Sequence, residues 1–156
     1  MNKLFKYFYL FTLLLISSAT HSDNHNSEEK IVLNWAYAKE TNANRNVSSA
    51  YVSLNNLSKT DDKLIKIISS FTRKSELHQM TFSNNVMKMR KVENIIIKAG
   101  QKFEMNPKNG FHIMFFEIDK PLKSGEEFPI TLVFMNAGKI STTMKIVKKI
   151  DFNNMK

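Results

Sequence analysis

Ten short runs of β-branched and aromatic residues recur along this chain at intervals of about ten residues, bounded by glycine, proline, asparagine or serine. They predict strands near Ile31–Tyr37, Ser49–Asn55, Lys63–Phe71, Glu76–Phe82, Val86–Val92, Ile95–Lys98, Lys102–Met105, His112–Ile118, Glu127–Met135 and Ile140–Lys148. A short strand buries one face and cannot stand alone, so this series points to an all-β sandwich or barrel. No window holds a helical period over three turns, although Asp61 to Ser70 imitates one. Turn chemistry separates the runs: Gly100, Pro107 with Gly110, Gly125 and Gly138 supply positive or fixed φ. Pro129 lacks a backbone donor, which predicts a strand edge or a strand start at that point.

The first residues read as an export signal over 1–19, with Lys3 and Lys6 before an apolar stretch and Ser17, Ser18 and Ala19 at its end. That stretch is shorter than the roughly 20 residues that span a bilayer, so no stable membrane insertion is expected after cleavage. Residues 20–30 are polar and aperiodic, a flexible leader, and 31–150 form one domain. The absence of cysteine rules out a disulfide framework and a lipid-modified N-terminus, while 42% hydrophobic residues and 12 Phe supply a core without staples. The formal charge of +9 comes from scattered lysines, which on an exported chain reads as a solvated surface with no nucleic-acid partner.

Within this frame one pattern occurs twice: His78-Gln79-Met80 and His112-Ile113-Met114. Residues two apart on a strand share a face, so each unit presents an imidazole beside a thioether. On the second run Phe111, Ile113 and Phe115 take the core face, leaving His112, Met114 and Phe116 opposite. Imidazole and thioether without thiolate form a soft donor set suited to Cu(I). Five of nine methionines, Met80, Met87, Met89, Met105 and Met114, fall in this region. Met87 and Met105 are read as gap-filling core, while a purely core reading is weaker for Met114, beside a His, and for Met89, beside an arginine-bearing turn. Phe82 and Phe116 fit either an apolar rim or the core. Glu76, Glu93, Glu104 and Asp119 are read as solvated strand-edge charges. No hydrolase, phosphate-loop or zinc-protease motif is present, so the chain is not expected to be an enzyme.

These residues resemble the PCuAC-type periplasmic copper chaperones, whose signature is His, ten residues, Met, about twenty-one residues, then His-x-Met. Here His78 is followed after ten residues by Met89, and Met89 after twenty-two by His112 and Met114. The Asn106 to Gly110 turn can absorb the extra residue. Flanking segments agree: Ala50 to Asn56, Met89 to Val92, Gly110 to Met114, Lys120 to Lys123, and Pro129 to Phe134 with Ala137 and Gly138. The resemblance runs from about Trp35 to Val147. It implies a cupredoxin-like Greek-key β-sandwich holding one Cu(I) through His78, Met89, His112 and Met114. Met80 either replaces Met89 or serves as a ligand during transfer. It also implies a periplasmic monomer that hands copper to an apo copper-accepting protein, such as an oxidase subunit or a Sco-type thiol protein. Many members have a His/Met-rich C-terminal tail, whereas this sequence ends Asp151 to Lys156, so a second copper site in such a tail is not expected.

Imidazole ligation predicts an affinity that falls as pH drops through about 6.5. Two other readings compete. One is an exported sandwich module with no metal role. The other is a Cu(II) site at an N-terminal amine, created if cleavage exposes Asp23-Asn24-His25.

Overall fold

All ten expected strands form. The computed structural model describes residues 31–42, 44–84 and 86–153. The signal, the leader and the Asp23 to His25 amine site lie outside the described residues. The strands are β1 (Ile31–Lys39), β2 (Ser48–Asn56), β3 (Asp62–Ser69), β4 (Thr72–Ser83), β5 (Val86–Val92), β6 (Ile95–Ile97), β7 (Lys102–Glu104), β8 (Phe111–Ile118), β9 (Glu127–Phe134) and β10 (Lys139–Val147). Among the described residues no helix is long and apolar enough to cross a membrane.

Hydrogen bonds follow one path, β5-β4-β8-β2-β1-β10-β9-β3-β6, with β7 on β2. The path folds over at β1, which pairs β2 in antiparallel fashion along most of its length. Its last residues, Tyr37 to Lys39, also pair in parallel with β10 on the other side. One layer is therefore β5-β4-β8-β2-β1 and the other β10-β9-β3-β6. The chain crosses between layers at β2–β3, β3–β4, β5–β6, β6–β7 and β8–β9, the connectivity of a Greek-key, cupredoxin-like sandwich.

Between the layers lies one apolar cluster. Val52, Leu54, Ile113 and Phe115 come from one side, and Leu64, Ile130, Leu132 and Met144 from the other. Each such side chain, fully buried, is worth about 1.5–3 kcal/mol of transfer free energy. Phe115 also meets Phe71 edge to face at 4.9 Å between ring centroids. Met105 is completely buried and fills this core as expected.

Three departures from the sequence expectation have physical reasons. β4 begins at Thr72, four residues early, because its polar start pairs with β8 (Thr72 with Ile118, Lys74 with Phe116) and so is specified by its neighbour. The helix-like spacing in β3 comes from a register shift between Leu64 and Lys66, which lets Leu64 and Ile67, three apart, both enter the core. Met87, expected in the core, is 64% exposed. β5 is an edge strand, and six of its seven positions are exposed among the described residues. Pro129 behaves as predicted: β3 ends at Ser69 opposite Ile130, so no β3 residue pairs with the proline that lacks a donor.

Candidate metal centre

Strand register brings the two imidazoles together. His78 on β4 lies directly opposite His112 on β8, and their ring centroids are 5.7 Å apart. Parity places Glu76, Met80 and Phe82 on the same face as His78, and Met114 and Phe116 on the same face as His112. Across the strands Glu76 pairs with Met114 and Lys74 with Phe116, while on the other side Met80 pairs with Met89 and Phe82 with Met87. Cross-strand neighbours of this kind have Cβ atoms about 5 Å apart. The five residues read as donors therefore occupy one patch of the β5-β4-β8 face.

The imidazoles lie deep and the sulfurs shallow. His112 is 2% exposed and His78 9%; Met80 and Met114 are half-buried, and Met89 is 49% exposed. Met89 and Met114 line a common open cavity of about 310 Å³ together with residues before and at the start of β2, including Asn42, Arg45 and Ser49. Met80 does not line it. Its backbone N–H instead donates to the Gly110 carbonyl at 2.9 Å. Neither Phe82 nor Phe116 belongs to the core: Phe82 is exposed at the hairpin tip, and half-buried Phe116 lies 6.0 Å from the His78 ring.

Each ring has one nitrogen engaged and one left over. His78 Nε2 lies 2.8 Å from Glu76 Oε2, and His112 Nδ1 lies 3.0 Å from the Gly110 carbonyl oxygen. Both partners are acceptors, so the ring proton of a neutral imidazole sits on the engaged nitrogen in each case. The other nitrogens, His78 Nδ1 and His112 Nε2, are buried and have no hydrogen-bond partner among the described residues. A buried polar atom left unsatisfied costs about 1–3 kcal/mol, and here two occur on rings that face one another. With nitrogen–metal bonds of about 2 Å, two rings at this separation can share one ion.

Glu76 is a correction to the sequence reading, which took it as a solvated edge charge. Its side chain is only 11% exposed, and its second oxygen, Oε1, lies 3.3 Å from Lys74 Nζ and 3.2 Å from Lys91 Nζ. The hydrogen bond from His78 is the main reason its carboxyl is held down at about 2; the Lys91 and Lys74 ammoniums add to it against the opposing effect of burial. Glu76 thus stays ionised through the neutral and mildly acid range and fixes the orientation of His78, the usual second partner of a ligating imidazole. Burial, reinforced by His78 nearby and opposed by the Gly110 carbonyl, pushes His112 below the ordinary histidine value. Sequence reasoning also missed Tyr51, which β2 parity places beside His112 at 6.2 Å, and Phe152, which meets Tyr51 edge to face at 4.9 Å.

Among the described residues no group of three or more His, Cys, Asp or Glu side chains is arranged to hold a metal ion. Beyond the two free ring nitrogens, the soft donors on this face are the thioether sulfurs of Met80, Met89 and Met114.

The sequence model of the LpqE-like family, described as "Putative lipoprotein LpqE-like", matches residues 31–146. This chain belongs to the LpqE-like family. No curated protein matches it in sequence. Among solved structures, this LpqE-like chain is similar to the copper-bound PCuAC domain from PmoF2, with 20% identity and a TM-score of 0.65 over 77% of this chain and 94% of that one. It is likewise similar to the apo PCuAC domain from PmoF1, with 19% identity and a TM-score of 0.65 over 77% and 95%. A third is the solution structure of CuI-DR1885 from Deinococcus radiodurans, with 24% identity and a TM-score of 0.61 over 75% and 78%. The LpqE-like chain thus has the PCuAC fold, as its sequence resemblance implies.

Proposed function

We propose that this chain is an exported copper carrier. It binds one Cu(I) through His78, His112, Met114 and Met89 and passes it by ligand exchange to an apo copper-accepting protein. The observation that carries this reading is the pair of buried ring nitrogens, His78 Nδ1 and His112 Nε2, left without partners on adjacent strands. Burying two lone pairs with nothing to bond makes sense if a soft ion completes them. Met89 is preferred to Met80 because it shares a cavity with Met114. Neutral donors match the softness of Cu(I) without the hold of several thiolates, which suits a carrier that must release its cargo. Thioethers also withstand an oxidising compartment better than thiols do. The copper-bound relatives of the same fold support this reading. The recipient in this proposal is an apo copper-accepting protein such as an oxidase subunit or a Sco-type thiol protein, in a periplasmic setting reached by a 1–19 signal.

Anaerobic titration with Cu(I) in competition with bicinchoninate, followed by X-ray absorption, is the direct test. The expected result is one tightly held ion per chain with both nitrogen and sulfur neighbours. No uptake, or oxygen-only coordination, would leave an exported sandwich module without a metal role. Copper held as Cu(II) at a processed N-terminal amine would also overturn the assignment to these side chains.

Glu76→Gln adds a finer check. The amide can still accept from His78 Nε2 but loses the charge that draws in Lys74 and Lys91. Loss of a second partner to a ligating histidine weakens metal affinity about 10–100-fold, and the lower end is expected here because the hydrogen bond survives. The same competition titration reads it.

A further inference from the structure

β5 carries a second thioether, Met87, that neither the core nor the proposed ligand set uses. Met87 and Met89 are two apart on this edge strand and so share its site-side face, with Phe82 opposite the first and Met80 opposite the second. Their exposure is graded: 64% at Met87, 49% at Met89, then half-buried Met80 and Met114, then the buried imidazoles. Packing accounts for Met105 but not for Met87, whose side chain stands in solvent at the end of a row of sulfurs that leads inward. Two residues apart on a strand means about 6.8 Å between Cα atoms, a gap that two unbranched methionine side chains can close onto one ion.

We propose that Met87 is the outermost station of a thioether relay, a shallow site for a soft monovalent cation shared with Met89. This inference rests on the copper-carrier reading. In the transfer step the ion stays monovalent and no proton moves. A bond from the incoming donor's ligand breaks as bonds to the Met87 and Met89 sulfurs form, freeing that ligand in its original form; the Met87 bond then breaks as His78, His112 and Met114 join Met89 on the ion. Two neutral sulfurs hold the ion weakly, so it dwells there only briefly. Release to a recipient runs through the same station in reverse.

The test compares wild type with Met87→Leu, which keeps the apolar area and removes the sulfur. The probes are the Cu(I)–bicinchoninate complex, for equilibrium affinity and stopped-flow transfer rate, and Ag(I), followed by methionine-methyl NMR. Expected are equal equilibrium affinities, a transfer rate several-fold lower in Met87→Leu, and a Met87 methyl resonance that moves in wild type once Ag(I) exceeds one equivalent. Identical transfer rates with an unmoved Met87 methyl would overturn the relay while leaving the carrier intact, and would leave Met87 and Phe82 as plain contact surface. A wild-type protein that binds no Cu(I) at all would instead end the carrier reading, and the relay with it.

Discussion

Gly110→Ala is expected to lower stability by about 3 kcal/mol and to abolish tight copper binding, whereas Gly100→Ala costs about 1 kcal/mol and leaves the centre intact. Both glycines have positive φ, +65° at Gly100 and +73° at Gly110, so both substitutions carry the left-handed penalty of an L side chain. Only one meets anything. A Cβ at Gly100 has no atom within 4 Å, while a Cβ at Gly110 falls 2.0 Å from the Met80 carbonyl oxygen. Backbone cannot swing aside as a flexible side chain can, so β4 and β8 must separate where they meet. That separation breaks the Met80 N–H bond to the Gly110 carbonyl, worth about 1 kcal/mol. It also disturbs the acceptor of His112 Nδ1, and with it the orientation of the ring. Urea denaturation of the two variants, paired with copper competition, separates the loss at the site from the generic cost of alanine at positive φ. Equal destabilisation in both would show that the close approach at Gly110 has no energetic weight.

Gly110 also marks the boundary of what the sequence makes legible. Its turn role was readable, because a glycine after Asn106 and Pro107 has a local reason to be there. Its contact with Met80 was not, because that depends on how β4 and β8 register, and register is set by partners far apart in sequence, such as His78 and His112. The same division runs through the site. Period-two parity was enough to put His78 with Met80 and His112 with Met114, and to send Ile113 and Phe115 inward, because a strand sorts its faces by itself. Parity says nothing about depth. Met87 and Met105 looked alike in sequence, yet one lies on an edge strand and the other between the layers. Glu76 was misread for a related reason: a carboxylate among lysines resembles a solvated charge until Lys74, Lys91 and His78 are seen to converge on it. The bulge in β3 shows the converse, a local irregularity that made a strand imitate a helix.

His112→Leu is expected to abolish Cu(I) binding while leaving the apo protein at least as stable as wild type. In most cores, replacing a hydrogen-bonded buried polar side chain is destabilising. Here the apo state holds two buried ring nitrogens with no partner, and each carries a desolvation cost of about 1–3 kcal/mol. Leucine removes one of them and fills similar space beside Tyr51. The bond to the Gly110 carbonyl is lost, but that oxygen still accepts from Met80 N–H at 2.9 Å, so no new orphan is created. Thermal melts of apo and copper-loaded protein give the comparison: copper raises the wild-type midpoint by mass action and has no effect on the variant. The pH dependence supplies an independent check on the same ring. Because His112 titrates below the ordinary histidine value, protons displace copper from it only at lower pH. The contribution of His112 to affinity should therefore be lost only as pH falls below the ordinary histidine value near 6.5. The sign for the apo fold is the same: a histidine depressed on folding contributes stability above its unfolded value that is lost as pH falls through its folded one. An apo His112→Leu protein that melts several degrees below wild type, or that still takes up Cu(I) at wild-type affinity, would mean that the free nitrogen of residue 112 is not what the fold preserves for the metal.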